Sequence, residues 1–438
     1  MTQTLALNDY ACPECGARAR LDPRFVQWCS DCGHGAETTP SRPEGRRARR
    51  RSGREQQRAL RLYASLRTAP NLRPASAVRL AVTALATAVH LSSLALLVLP
   101  VLLVVAEHGA VWSIAVLCYA ELVFVAVRPR FFGRRLDPRA AVDRAQAPAF
   151  YALIDRCAAE LDCPAPDHVR FDLRFNASTG QAGLRRTRWM SVGMPLWTVL
   201  SGRERLALLG HELAHRVNGD ISHGVWATAA RRTIHVWTRL LDPRQSRRER
   251  MTAAAVSQYR LGPGSFGSAL APILMAVLLA PFFLLALGAR ALMTRLDLYC
   301  GQRAEYLADE LGARLAGSEA ALGCLAALAL GEPILADLAA ARNRHRLRRG
   351  GDTSGLWRDL AAYAASVPET ERQRRRIVDR LHNVRSDRSH PANHLRLALV
   401  AERPQLAAAF TVTDEEWAVV DAELAACART LAGAYLGA

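Results

Sequence analysis

Residues 201–220 read Ser-Gly-Arg-Glu-Arg-Leu-Ala-Leu-Leu-Gly-His-Glu-Leu-Ala-His-Arg-Val-Asn-Gly-Asp. Ser201 and Glu204 have the Ser-x-x-Glu form of a capping box, in which each side chain satisfies a backbone N–H left free by the first helical turn. Leu206, Leu209, Leu213 and Val217 recur at helical spacing. The stretch therefore predicts a helix buried along one side, running to about Val217 and stopped by Asn218-Gly219. His211 and His215 then lie on one face, a turn apart. Two imidazoles so placed can hold one Zn²⁺ at about 2.0–2.1 Å. Glu212 adjoins the first of them, angled off that face, where it can take a proton from a metal-activated water and return it to a leaving amine. The alternative is two surface histidines spaced by accident; the capped helix of suitable length favours the metal.

A catalytic zinc site usually has three protein ligands and one open position. No histidine follows at short spacing, because Asn218, Gly219 and Asp220 occupy that stretch. The best candidate is Glu305, in Arg-Ala-Glu-Tyr-Leu-Ala-Asp over residues 303–309. Glu305 and Asp309 share a helix face, so one can bind the metal while the other orients a ligand histidine from behind. By spacing alone, a solvated acidic helix face fits these two carboxylates equally well.

Around this stretch, residues 136–265 read as soluble and mixed. Ala147–Leu161 is expected to be helical, with Pro148 tolerated in its first turn. Val169–Phe175 and Arg188–Val192 are expected as short strands, with turn-like Gly180 and Gly183 between them. From about Ala320 the chain is Ala/Leu-rich and helical, with basic loops expected around Arg342–Arg349 and Arg372–Arg376. A last helix starts at Thr413, again with a capping box to Glu416. There are no internal repeats.

The 438 residues suffice for more than one domain. The 58 basic residues are all arginine, and the net charge is +18, yet mean hydropathy is close to zero. Polar and membrane-embedded segments averaged together would give such a balance. Ala81–Ala106 carries no charged residue, and at about 1.5 Å per residue it exceeds a hydrocarbon core of roughly 30 Å. Glu107-His108-Gly109 links it to Ala110–Val127, apolar except for Glu121. Together they predict a transmembrane helical hairpin. Arg67, Arg73 and Arg79 precede it, and Arg128, Arg130, Arg134 and Arg135 follow, while the link has none. The positive-inside rule then puts both open ends in the cytosol, against anionic lipid. Glu121 and His90 form either a functional pair or a structural contact. Gly267–Ala289 is a further apolar run, interrupted by Pro272 and Pro281.

Ten cysteines are present. Four stand as Cys12-Pro-Glu-Cys15 and Cys29-Ser-Asp-Cys32; the others lack a framework. With no signal peptide evident, the N-terminus is expected in the reducing cytosol, which disfavours disulfides. Four thiolates at this spacing suit a closed structural Zn²⁺ site, and the segment resembles a zinc ribbon. Aromatics there are few (Tyr10, Phe25, Trp28), which argues against base stacking and so against nucleic acid. The Arg/Pro/Ser-rich stretch 37–75 reads as a solvated linker, of which Gln56–Arg67 can form a basic amphipathic helix on the membrane.

Taken together, these motifs resemble the HtpX and CAAX-prenyl-endopeptidase family of integral-membrane zinc proteases over roughly residues 145–400. The markers are Asn176-Ala177, Trp189–Gly193, His211–His215 followed by Asn218-Gly219-Asp220, Glu305–Asp309, and late His390-Pro391 with Arg396. The resemblance implies zinc ligands His211, His215 and Glu305, with Glu212 as general acid/base and Asp309 behind the ligands or handling protons. It implies that Asn176-Ala177 lies by an edge strand holding extended peptide, and that His390 and Arg396 line the cleft or serve structure alone. Ala214 departs from the glycine common before the second histidine, and the four-cysteine module is an addition to the usual core. Because His215 and Glu305 must share one metal, the chain between them crosses the membrane an even number of times or not at all. Either Gly267–Ala289 re-enters by bending near Pro281, or it pairs with Ile221–Leu241. Arg231, Arg232 and His235 make the latter a poor lipid-facing span, so a re-entrant or bundle-packed helical pair is expected.

The expected fold is mainly α with a small β-sheet, an α+β gluzincin-type zinc protease core joined to a transmembrane hairpin and a small ribbon. Its parts are the ribbon at 1–38, the linker at 39–77, the hairpin at 78–130, the peptidase domain at 131–400 interrupted by a membrane-embedded 266–298, and a helical tail at 401–438. The expected cofactors are two Zn²⁺, one catalytic and one structural; the expected partners are protein or peptide substrates and the bilayer, with no prediction of oligomeric state. The expected activity is a zinc endopeptidase acting on membrane or membrane-proximal proteins from the cytosolic side. The rival is a membrane-tethered ribbon that binds protein or nucleic acid without catalysis. Intact His211, Glu212, His215 and Glu305 favour the enzyme.

Overall fold

The computed structural model describes residues 7–37, 46–72, 76–107, 141–182, 187–217, 220–242, 267–347, 353–382 and 390–437. Ala110–Val127 with Cys118 and Glu121, the Asn218-Gly219 stop, Gly183 and Arg348-Arg349 lie outside these. The described chain is mainly helical with small β-sheets. It divides into two units, one of residues 1–74, 134–220 and 301–438, the other of 75–133 and 221–300.

In the first unit, β1 (Asn8–Ala11) and β2 (Arg18–Leu21) form an antiparallel pair. A second sheet contains β3 (Ala141–Val142), β4 (His168–Asp172), β5 (Ala177–Ala182) and β6 (Thr187–Gly193), in the order β3-β4-β6-β5. β4 and β6 are parallel, and β5 runs antiparallel to β6 at the sheet edge. Gly180, expected in a turn, instead sits inside β5 opposite Trp189, and a Cβ there would meet the indole at 2.5 Å. The strand is hidden in the sequence because Ala-Ser-Thr-Gly-Gln-Ala has no apolar alternation for a period-2 pattern to find.

The core lies between this sheet and the helices that follow. Phe150 of the helix α3 (Pro148–Glu160), Phe171 of β4 and Trp197 of α4 (Met194–Val199) meet with ring centroids 5.8 Å apart. Trp417 joins at 6.0 Å from the last helix, Asp414–Leu436. That helix opens on the expected Thr413–Glu416 capping box. Its Glu423 accepts hydrogen bonds from Ala149 N and Phe150 N, both at 2.9 Å, filling donors that the start of α3 leaves open. Residues 414–436 thus belong to the same core as the sheet.

Three basic segments are more ordered than expected. Arg46–Arg67 (α1) is one helix, and its Ala59, Leu62 and Leu66 pack on Tyr306, Leu307, Leu395 and Leu399, not on a membrane surface. Tyr63 donates to Glu402 at 2.8 Å, and Arg67 pairs with the same carboxylate. The supposed loop around Arg372–Arg376 lies within a helix, Glu369–His382, because Glu371 pairs with both Arg374 and Arg375. Arg342–Leu347 is likewise the end of a helix, Gly331–Leu347.

In the second unit, α2 (Ser76–Glu107) presents Val82, Ala86 and Val89 to Ala227, Ala230 and Ile234 of α6 (Asp220–Leu240). Met293 of α7 (Gly267–Ala316) completes the cluster. α7 is a continuous 50-residue helix and contains both Pro272 and Pro281, so the expected re-entrant bend near Pro281 is absent. An apolar surrounding tolerates proline in such a helix when neighbours satisfy the freed groups. Ser76–Val98 and Val277–Ala316 are long and apolar enough to cross a membrane. Leu80, Leu91, Leu94, Val277, Leu278, Phe282, Leu284 and Leu285 point outward, an apolar surface that water would not favour and lipid would. His90 lies 3.2 Å from the Trp226 carbonyl and against its ring.

Candidate metal centre and cleft

The helix α5 (Gly202–Val217) begins at the capping box expected from Ser201: Glu204 accepts from Ser201 N at 2.8 Å, and Ser201 Oγ from Glu204 N at 3.4 Å. Its buried Leu206, Leu209 and Leu213 hold it against the core. Gly210 on α5 and Gly312 on α7 face each other: a Cβ on Gly210 would lie 3.0 Å from the Gly312 Cα, and one on Gly312 would lie 2.9 Å from the Ala207 carbonyl. These two glycines let the motif-bearing helices cross closely enough for their polar side chains to meet.

At the crossing, His211 Nε2 lies 3.6 Å and His215 Nε2 3.5 Å from the two Glu305 carboxylate oxygens. The two rings are perpendicular, with centroids 4.9 Å apart. One donor atom from each of His211, His215 and Glu305 lies within 4.8 Å of the others. Asp309 Oδ1 is 3.0 Å from His211 Nδ1, so that nitrogen donates and Nε2 keeps its lone pair toward Glu305. Arg396, on the helix Asn393–Glu402, grips Asp309 with bonds of 2.8 and 2.6 Å and lies 3.7 Å from Glu305. Burial works against the Arg396 charge, but the Asp309 carboxylate more than restores it, so its pKa stands above the ordinary value. His390 Nδ1 approaches Glu305 Oε2 at 2.7 Å. His390 and Arg396 are cleft residues by resemblance; the structure adds that they touch the two carboxylates directly.

Glu212 is 5% exposed, and its Oε2 has no protein partner among the described residues. An orphaned buried carboxylate oxygen is costly, and one beside two imidazoles and a carboxylate has the setting of a group that holds a water. Two neutral imidazoles with a carboxylate suit Zn²⁺ and leave a position open. With both imidazoles neutral, His211, His215 and Glu305 together with Asp309 and Arg396 would set one net negative charge against a divalent cation. These residues therefore fit a catalytic zinc ion.

A narrow cleft, with a cavity volume of about 40 Å³, opens onto the site. Asn176 and Ala177 at the start of β5 form one rim, and Leu196, Leu208, Leu325 and Leu328 give it an apolar wall. Gly193, closing β6, donates to Asn176 O at 2.8 Å; a Cβ there would collide with the Arg174 carbonyl at 1.7 Å. Arg216, whose pKa burial pushes down to about 10, reaches Thr179 Oγ1 at 3.0 Å and Trp189 O at 3.2 Å, tying α5 to the edge of the sheet.

A model of peptidase family M48 matches residues 145–404, a span holding every residue of this site. The chain belongs to that family. As an M48 member it is a metallopeptidase, and its substrates are proteins or peptides. Comparison with curated proteins and with solved structures gives no significant match.

Outside the M48 match, Cys12, Cys15, Cys29 and Cys32 gather with their sulfurs within 4.8 Å of one another. Cys12 Sγ lies 3.6 Å from Cys32 Sγ, and Cys15 Sγ 3.6 Å from Cys29 Sγ, distances that exclude disulfides. Desolvation works against the Cys12 thiolate, but the N–H groups of Cys15 and Glu14 draw its pKa down to about 6. This donor set fits a closed tetrahedral metal site.

Proposed function

We propose that this M48 peptidase is a membrane-anchored, HtpX-like zinc endopeptidase that cleaves membrane or membrane-proximal proteins. The reading rests on one observation: His211, His215 and Glu305 converge while the buried Glu212, lining the same cleft as His211, keeps an unpartnered oxygen. Bound zinc would supply Lewis acidity at the scissile carbonyl and make water a better nucleophile at neutral pH. Glu212 takes the proton from the attacking water and returns it to the leaving amine. Asp309 holds the His211 tautomer, and Arg396 holds Asp309. A substrate in extended form adds to the open edge of β5, and the apolar cleft wall takes an apolar side chain next to the cleaved bond. The outward apolar faces of α2 and α7 anchor the enzyme in lipid, with the peptidase unit and N-terminus on the cytosolic side, as the flanking arginines favour.

The test is Glu212→Gln in the full chain in detergent. The variant is expected to keep its metal and lose cleavage of an unfolded membrane-protein substrate by at least about a hundredfold. Cleavage at the wild-type rate would refute the assigned role.

A further inference from the structure

The helix Glu369–His382 (α8) is an unusual support. Its buried residues, among those described, are Glu371, Arg374 and Asp379, all charged. With Ile377 and Val378 only half-buried, the helix is tied to its surroundings by polar contacts, and Arg374 and Asp379 each reach a partner on another segment. Glu371 takes Arg374 in a two-pronged pair at 2.6 and 2.7 Å. The remaining arm of Arg374 donates to the carbonyl of Ala36 at 2.8 Å, shortly after the second Cys-x-x-Cys turn. Asp379 accepts from His394 N at 2.7 Å. His394 lies in the first turn of the helix Asn393–Glu402 (α9), whose N-cap residue Ala392 supplies no side-chain cap. α8 therefore provides the cap that starts α9, and α9 carries Arg396 into the metal centre.

The four-cysteine module grips the same region a second time. Arg24 donates to Ser366 Oγ at 2.9 Å and to its carbonyl at 3.0 Å, just before α8, and Phe25 packs beside Tyr363 with ring centroids 6.4 Å apart. A module this small, held by two short strands, takes its fold from its metal. Without the metal the Ala36 carbonyl has no fixed position, and Arg374 is left with a buried, unsatisfied N–H.

We infer that a metal held by Cys12, Cys15, Cys29 and Cys32 braces the peptidase cleft, through Ala36, α8 and the Asp379 cap on α9, and so sets the position of Arg396. The module is thus a metal-dependent positioning device for the catalytic centre. Loss of its metal loosens α8 and α9 and weakens the hold on Asp309 while leaving His211, His215 and Glu305 unchanged in sequence. This rests on the peptidase reading for its consequence in activity, but not for the structural coupling.

The experiment compares the full chain in detergent with its Cys15→Ser/Cys29→Ser variant, by zinc content and by backbone hydrogen exchange. The variant is expected to carry one zinc per chain instead of two, and exchange in residues 369–382 and 393–402 to accelerate about tenfold or more, with kcat/KM down about tenfold. Arg24→Ala/Phe25→Ala keeps both metals and should accelerate exchange in the same two segments, which covers the case in which the cysteine variant misfolds. Faster exchange in residues 8–36 alone, with 369–402 as in the wild type, overturns the inference; so does retention of two zinc ions by the cysteine variant. If the segments respond but even the wild type cleaves nothing, the coupling stands and the peptidase reading falls.

Discussion

Replacing Asp309 by asparagine should strip the catalytic metal selectively. Asp309 accepts from His211 Nδ1 at 3.0 Å and from Arg396 at 2.6 and 2.8 Å. Asparagine keeps the shape and removes the charge, with two consequences of the same sign. First, a neutral amide oxygen is a weaker acceptor for His211 Nδ1–H than the carboxylate, and the amide can turn its NH2 to the ring instead, so the tautomer is no longer fixed; loss of such a support typically costs 10–100-fold in metal affinity, or about 1.4–2.7 kcal/mol. Second, the buried guanidinium turns to the remaining carboxylate, Glu305, from which it is 3.7 Å away. Opposite charges at such a distance attract by about 4 kcal/mol at an effective dielectric constant of 20, and a fraction of that, after desolvation, opposes the incoming cation. The upper end of the range, about a hundredfold, is the expected loss. A competitive chelator titration of the full chain reports it, because the four-cysteine cluster offers an internal reference: one class of zinc should weaken and the other stay put. A weaker class within about twofold of its wild-type affinity would show that Asp309 does not orient the ligand, and the assignment would fail.

Three further outcomes follow from the geometry. Glu305→Ala should leave one zinc of two, lost from the His–Glu site, as metal analysis against a ribbon-deficient control would show. Gly312→Val should push α5 from α7, since even a Cβ meets the Ala207 carbonyl at 2.9 Å; overpacking of this kind costs about 1–3 kcal/mol, and both thermal melting and zinc affinity should fall. Asp167, whose pKa Arg188 pulls down to about 2, should stabilise the β4–β6 region above its unfolded value of about 3.9 and lose that contribution as pH falls through 2. The melting difference between wild type and Asp167→Asn should therefore be present at neutral pH and close toward pH 2, a modest effect given the partly exposed pair.

Legibility tracked the kind of physics holding each element. The helix at 202–217 was plain, since cap, apolar spacing and ligand spacing agreed. Glu305 was open by spacing alone, because its role depends on the Gly210–Gly312 approach, and two isolated glycines so far apart carry no local signal. β5 was implied by the family resemblance, as an edge strand beside Asn176-Ala177, but not by its own residues, because an edge strand of small and polar residues is defined by its partner β6. The helix at 369–382 read as a loop because arginines normally face water; here Glu371 and Ala36 supply buried partners for Arg374. The prolines of α7 suggested a bend, but the helix runs unbroken through both. The first apolar segment was legible as a long helix from its uncharged length; of α1, only residues 56–67 were legible as an amphipathic helix, its arginine-dense start read as linker, and its partner proved to be protein.

The separations within the two clusters also imply an order of maturation. Cys12 and Cys32 are 20 residues apart, so a nascent chain can close that cage early. His211 and Arg396 are separated by 185, and the His–Glu centre with its Arg396 support is complete only when almost the entire polypeptide has emerged and two remote helices have crossed. During synthesis, the chain can therefore assemble its first ion-binding cage well before the His–Glu centre exists.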